Sequence, residues 1–260
     1  MDATYGSRYR RLYRHHWWWR AREEMILRHL AFYRPAEGFG RILDIGCGDG
    51  LFFDRLAEMG EPEGVEPEAG LVSPDGPWAG KIHVRPFDGS FRPSRGFGLV
   101  LMLDVLEHLK DDRGALGHAV SLLAEGGILV ATVPAFEALW TRHDDLNHHF
   151  RRYRRPAFRR LARDAGLRLE ICRYFFHWLV PLKLAVRAKE SLLPAPPRPP
   201  DLPSPWLNSL FHRISTVEQA LGSRLPFPLG SSLLAVGKRS SETPPGEWPG
   251  EGTESAGESP

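Results

Sequence analysis

The chain has 260 residues, 42% of them hydrophobic, with 34 Lys and Arg against 32 Asp and Glu for a net charge of +2. That length and composition suffice for a buried core of α/β type, and the near balance of charge argues against a dedicated nucleic-acid binder. Two cysteines, Cys47 and Cys172, exclude a disulfide scaffold and fit a reducing cytosol. No apolar run reaches the ~18 residues of a membrane span, and the basic, tryptophan-rich start lacks the apolar centre of a signal peptide.

In chain order, Tyr13 to Leu30 (YRHHWWWRAREEMILRHL) has helical spacing, with Glu24 and Arg28 placed to pair across one turn. Arg41 to Gly50, RILDIGCGDG, predicts a buried parallel strand closed by Asp44 and running into a glycine turn that opens a helix. Gly46, Gly48 and Gly50 follow one another at every second position, where positive φ and a close ligand approach exclude a Cβ. The spacing is GxGxG, with Leu51 in place of the last glycine of a dinucleotide fingerprint. An acidic strand end, and no lysine in the loop, point to a nucleoside carrying positive charge rather than to a pyrophosphate. PEGVEP, Pro62 to Pro67, predicts a second strand whose terminal Glu66 is placed to accept hydrogen bonds from two ribose hydroxyls.

Ile82 and Val84 alternate with polar residues as a third strand does, and Asp88 sits in the loop after it. Gly96 to Leu109, GFGLVLMLDVLEHL, predicts a strand buried on both faces that ends near Asp104. Leu122 to Pro134, LLAEGGILVATVP, reads as a helix end, a Gly-Gly turn and a fifth strand. A histidine- and arginine-rich cluster follows, PAFEALWTRHDDLNHHFRRY, Pro134 to Tyr153. A helix from Pro156 to Asp164 leads through Gly166 to a strand at Leu167–Arg173, and Ser231 to Lys238 predicts the last strand. Between them, 175–229 forms an insertion whose amphipathic first part is divided by the proline-rich Pro194–Pro205 from a second helix, Trp206 to Leu221. The tail after Arg239 holds five glutamates among Gly, Pro and Ser and is expected to be disordered.

Taken together, LDIGCGDG, PEGVEP, DVLEHL and LLAEGGILVATVP resemble class I S-adenosylmethionine-dependent methyltransferases of the type 11-like bacterial group. The resemblance departs at Gly98, where that group usually has aspartate. It implies a Rossmann-like, doubly wound sheet of seven strands, six parallel and one antiparallel. Its parts would be an N-terminal helical lid (1–37), a methyltransferase domain (38–240) carrying the insertion, and the tail (241–260). It also implies S-adenosylmethionine as cofactor, held by Asp44, Gly46, Cys47, Gly48, Gly50, Glu66, Asp88 and Asp104, with Asp88 toward the adenine. His16 to Arg20 would cap the pocket as a lid that excludes water.

The cluster after the fifth strand lies over the carboxyl ends of the strands, where folds of this kind take ligands. Trp140, Asp144, His149, Arg152 and Tyr153 are therefore candidates to meet the acceptor, and His108 and His143 to deprotonate or orient it, since imidazole titrates near neutrality. The His and Asp spacing fits no standard ligand pattern and methyl transfer requires no metal, so no metal site is expected. The function implied is methyl transfer to a small-molecule or lipid-like acceptor, with no nucleic-acid partner and with peripheral contact to the inner membrane face as an extension of a cytoplasmic location. Aminopropyl transfer and a non-catalytic binding or regulatory role are the alternatives, and the oligomeric state is left open.

Overall fold

The computed structural model describes residues 3–193, 200–222 and 227–240. The expected tail and half of the proline-rich link lie outside these residues. In order, the elements are α1 (Ala3–His15), α2 (Trp17–Tyr33), β1 (Arg41–Ile45), α3 (Phe53–Leu56), β2 (Glu61–Glu66), β3 (Ile82–Val84) and β4 (Phe97–Leu103). There follow α4 (Asp112–Ser121), β5 (Leu123–Pro134), α5 (Arg142–Leu146), α6 (Arg155–Asp164), β6 (Leu167–Phe175), α7 (Leu179–Leu192), α8 (Pro205–Gly222) and β7 (Ser232–Arg239), with short 3-10 turns between.

The seven strands form one sheet in the order β3-β2-β1-β4-β5-β7-β6. The pairs from β3 to β5 are parallel, and β7 lies antiparallel between β5 and β6. Six strands run one way and β7 the other, as expected. Alternate side chains of the central strands feed two cores. Leu43, Val100, Met102 and Leu129 face α4 and α6, while Ile42, Leu99, Leu101 and Val130 face α2 and α3. A strand buried on both faces has no polar side to show, which is why β4 reads as one apolar run.

The helix expected after the glycine turn is a single turn, α3. Only ten residues separate Gly50 from Glu61 at the start of β2, too few for a longer helix to form and return. The Gly-Gly pair lies inside β5 rather than ahead of it. The register jumps from Phe97 opposite Leu123 to Leu99 opposite Ile128, and Gly126 takes a φ of 74° in the irregularity.

This same bulge accounts for Gly98. A Cβ there would stand 2.0 Å from the Phe39 carbonyl oxygen, so the family's aspartate has no room beside the chain entering β1. Gly98→Asp is expected to destabilise the protein by about 3 kcal/mol, near the top of the usual overpacking range. A denaturant midpoint equal to that of the parent would refute this account.

The N-terminal lid is two helices, not the single one expected. His16 adopts extended backbone (ψ 132°), and its Nδ1 accepts from the Trp18 N–H. From the insertion, Asn208 ties both sides of the break, donating to the His15 carbonyl at 2.8 Å and accepting from the Trp17 N–H at 2.9 Å. Glu24 and Arg28 do not pair with each other. Glu24 accepts from His212 and Thr216, and Arg28 donates to Gln219, because α8 packs along α2 and offers buried partners that an exposed i,i+4 pair cannot match. Trp17 packs among Phe176, Trp178 and Phe211. The insertion thus covers the lid as a helical cap.

Candidate active site

The neighbouring strands β2, β1 and β4 end level with one another and bring Glu66, Asp44 and Asp104 to a single edge of the sheet. The turn after β1 is held by the Gly46 N–H donating to the Val65 carbonyl at 2.8 Å. Gly46, Gly48 and Gly50 have φ of 73°, 57° and 66°. A Cβ at Gly46 would lie 2.8 Å from Val105 Cγ2, so strain and crowding both demand glycine. Gly64 does the same for Cys47, whose buried Sγ lies where a Cβ on residue 64 would sit.

Glu66 is buried, and each of its carboxylate oxygens accepts one backbone N–H, from Gly48 at 2.8 Å and Glu68 at 2.9 Å. A carboxylate accepts about four bonds, so acceptor capacity for two hydroxyls remains. Burial raises its pKa, and the two backbone hydrogen bonds oppose that rise. Asp44 is also buried, and its pKa is pushed up to about 7 by desolvation, with Arg22 acting against the shift and Glu66 adding to it.

Asp104 takes a φ of 58°. It accepts from Thr132 at 3.2 Å and pairs with Arg22 at 2.9 Å. Arg22 also lies over the Trp18 ring, 5.0 Å from its centroid. Arg22, Tyr9 and Thr132 were not among the expected site residues. One arginine among the many of a basic helix carries no spacing signal, and only the packing of α2 against the strand ends selects it.

The lid presses closely on this edge. Tyr9 lies 3.4 Å from a Cβ position on Gly48, and Arg10 pairs with Asp49 at 2.8 Å. A cavity of about 40 Å³ remains, lined by Tyr9, Arg22, Asp44, Gly46, Phe52 and Leu103 among others. Ligand pockets run to roughly 300–1,000 Å³, so the space left between α1 and this edge is far smaller than such a pocket.

Asp88 is not brought to this edge. It stays in an exposed loop and accepts from the Ser90 N–H at 2.9 Å, the local bond that an Asp-Gly turn favours.

The cluster after β5 does fold back over the carboxyl ends of the strands, but several of its members turn inward. Asp144 is 0% exposed. Its oxygens accept Arg152 Nε at 2.8 Å and Nη2 at 2.9 Å, His149 Nδ1 at 2.9 Å, and the Thr141 N–H at 2.8 Å. Burial alone would raise the Asp144 pKa; the His149 and Arg152 bonds outweigh it and hold the carboxyl well below the usual range. Arg152 also donates to the Ala135 carbonyl at 3.0 Å. Tyr153 is buried and donates to Asp112 at 2.8 Å. Asp144, Arg152 and Tyr153, expected to face an acceptor, are therefore the brace of the loop. Trp140 donates to Asp145 at 2.8 Å. His143 lies on the exposed side of α5, its Nε2 3.2 Å from the Asn147 amide nitrogen. His108 and His149 meet edge to face, with centroids 4.6 Å apart.

A Rossmann-like sheet, a GxGxG turn and acidic ends on adjacent strands define a nucleoside-cofactor site of the class I methyltransferase kind. The chain belongs to the methyltransferase-domain family, whose model matches residues 8–170. S-adenosylmethionine is the cofactor, and the open lone pairs of Glu66 and the side-chain-free turn are suited to it.

Among curated relatives, ubiquinone biosynthesis O-methyltransferases from Bradyrhizobium sp. and Azorhizobium caulinodans are 31% identical over 103 residues and 32% over 120. The matches cover 35% and 42% of this chain and 39% and 47% of theirs, so the chain spans less than half the length of these relatives. Among solved structures, a putative methyltransferase in complex with the Haloferax volcanii Trm112 activator superposes with a TM-score of 0.57 at 18% identity, covering 92% of this chain and 96% of that one. A Clostridium acetobutylicum S-adenosylmethionine-dependent methyltransferase gives 0.55 at 9%, covering 85% and 92%. These likenesses show the fold.

If Asp44 faces the cofactor, affinity is expected to depend on pH. With its pKa pushed up to about 7, its carboxylate is mostly ionised at pH 8, where it would attract the cationic cofactor, and mostly neutral at pH 6. Titration calorimetry at pH 8 and pH 6 should show S-adenosylmethionine binding weaken at the lower pH, and Asp44→Asn should flatten the difference. Equal affinities at the two values in the parent protein would remove Asp44 from this role.

Proposed function

We propose that this protein transfers the methyl group of S-adenosylmethionine to an oxygen of an apolar, lipid-like small molecule. The observation that carries the reading is an apolar stripe on α8. Trp206, Leu210, Ile214, Val217 and Leu221 are all exposed and recur every three or four residues along one face. The opposite face, with Asn208, His212, Ser215 and Gln219, holds the lid and the start of α7. Exposed Leu182, Leu184 and Val186 on α7 extend the apolar surface. On the same helix Arg187 donates to the carbonyls of Glu137 and Trp140, so the insertion reaches the loop over the strand ends.

The oxygen as target is supported by the O-methyltransferase relatives. The apparatus asks little of the protein beyond orientation, since the sulfonium already activates the methyl carbon for in-line displacement. Asp44, the glycine turn, Glu66 and Asp104 would hold the cofactor, and His108 and His143 would orient the acceptor or take its proton. Among the described residues no helix is long and apolar enough to cross a membrane. Contact with a bilayer would be peripheral, with the exposed Lys189 contributing about 1 kcal/mol near an anionic surface.

Incubating the protein and radiolabelled cofactor with separate lipid and aqueous extracts of the native host tests the acceptor. Label is expected in the lipid fraction; label confined to the aqueous fraction would overturn the lipid-like assignment. In parallel, anionic liposomes should co-sediment the protein at low salt and release it at moderate salt. Protein that stays in the supernatant under both conditions would leave an acceptor that reaches the site through water.

A further inference from the structure

Glu107, His108 and His149 come together above the carboxyl end of β4. One potential ligand atom from each lies within 4.8 Å of the other two. Glu107 is 1% exposed, and its Oε2 is buried without a hydrogen-bond partner. A carboxylate oxygen left unpaired at that depth costs free energy unless something fills the place.

Each histidine has one ring nitrogen already committed. His149 Nδ1 faces the buried, ionised Asp144 at 2.9 Å, an acceptor that favours the proton on Nδ1 and leaves Nε2 as the nitrogen for a ligand bond. His108 has a hydrogen bond with the Asn147 backbone. Metal-binding histidines are held in this way, by a carboxylate or carbonyl on the ring nitrogen away from the ion. Arg152 in turn pins Asp144 through two nitrogens.

We infer that Glu107, His108 and His149 form a binding site for a single divalent cation of the zinc or cobalt class, with Asp144 and Arg152 as its supporting layer. Two imidazoles and one carboxylate suit such an ion and leave a position free for a further oxygen ligand. Tetrahedral ligation places ligand atoms about 3.4 Å apart, so closure from 4.8 Å asks for a shift of little more than 1 Å, which the exposed His108 side chain is placed to make. The separation of His149 from Glu107 by 42 positions explains why no ligand spacing shows in the sequence.

The use of the ion rests on the methyl-transfer reading, whereas its binding does not. With an ion bound, His108 would orient the acceptor through the ion and would not act as its base, and an acceptor hydroxyl taking the free position would lose its proton to water. Its oxygen lone pair would then form the C–O bond while the C–S bond breaks with its electrons passing to sulfur.

Titration calorimetry of the chelator-treated full chain with zinc chloride, and visible absorption with cobalt chloride, test the site. One ion per chain is expected. Glu107→Gln and His149→Ala should each weaken binding at least tenfold, and His148→Ala, outside the cluster, should not. Binding of S-adenosylhomocysteine by each variant in the same buffer shows that it is folded. The inference is overturned if the parent takes up no ion at micromolar concentration, or if Glu107→Gln and His149→Ala bind as tightly as the parent. Loss of methyl transfer with intact ion binding would instead count against the proposed function.

Discussion

Replacing Asp144 by alanine is expected to cost about 3–5 kcal/mol of stability, the usual penalty for stranding one partner of a buried ion pair. Arg152 would be left with its side chain 1% exposed and without its carboxylate, and the Thr141 N–H and His149 Nδ1 would lose their acceptor as well. The same group carries a pH signature. The folded state holds the Asp144 carboxyl well below its unfolded value because its hydrogen bonds to His149 and Arg152 outweigh the opposing effect of burial. Its contribution is therefore complete above the unfolded pKa of roughly 4 and is lost as pH falls toward the folded value. Acid unfolding followed by circular dichroism should show the parent losing stability steeply below pH 4, with a shallower slope for Asp144→Ala. A variant within 1 kcal/mol of the parent at pH 7 would show that the loop is braced elsewhere.

Glu66→Ala should weaken S-adenosylmethionine by roughly ten- to a hundredfold, since hydrogen bonds to a charged acceptor contribute about 1.5–3 kcal/mol. Two losses combine there: acceptors for the ribose, and the tether from Glu66 to the Gly48 N–H that shapes the turn. Glu66→Gln keeps one carbonyl acceptor and should fall between the parent and the alanine variant. NAD should bind far more weakly than the sulfonium cofactor, because the turn has GxGxG spacing and α3 is one turn long, a poor support for a pyrophosphate at a helix N-terminus. An unchanged dissociation constant in a folded Glu66→Ala protein would place the ribose on another group.

The two variants probe opposite halves of the site, and the halves differ in how far the sequence discloses them. The cofactor half is local. Asp44 and its glycine turn are contiguous, and Glu66 and Asp104 each close a strand whose apolar run marks its own end. Parallel strands of a doubly wound sheet end side by side, so three strand ends in the sequence become one edge in space. That is why the fold, the turn and the acidic edge could be read in advance. Asp88 lies apart from that edge, in an Asp-Gly turn that satisfies its aspartate locally.

The half proposed to meet the acceptor is not local. His108 and His149 are 41 positions apart, and Arg22 reaches Asp104 across 82. Whether Asp144 faces a ligand or an arginine depends on burial, which residue type alone does not encode. Histidine, aspartate and arginine serve equally well as substrate contacts and as a brace, and only the return of the loop against β5, through the Ala135–Tyr153 bridge, selects the brace.

By itself, then, the sequence determined the strand pattern, the glycine turn and the acidic strand ends, because period, glycine placement and strand-end charge act over a few residues; the seven-stranded sheet and the cofactor came with the family resemblance those motifs carry. The tertiary structure alone decided the break of the lid at His16, the pairing of α2 with α8, the empty place of Asp at position 98 and the meeting of Glu107 with two histidines. Each of these rests on contacts between segments far apart in the chain, where the partner that wins is the one that packing brings near and water cannot replace.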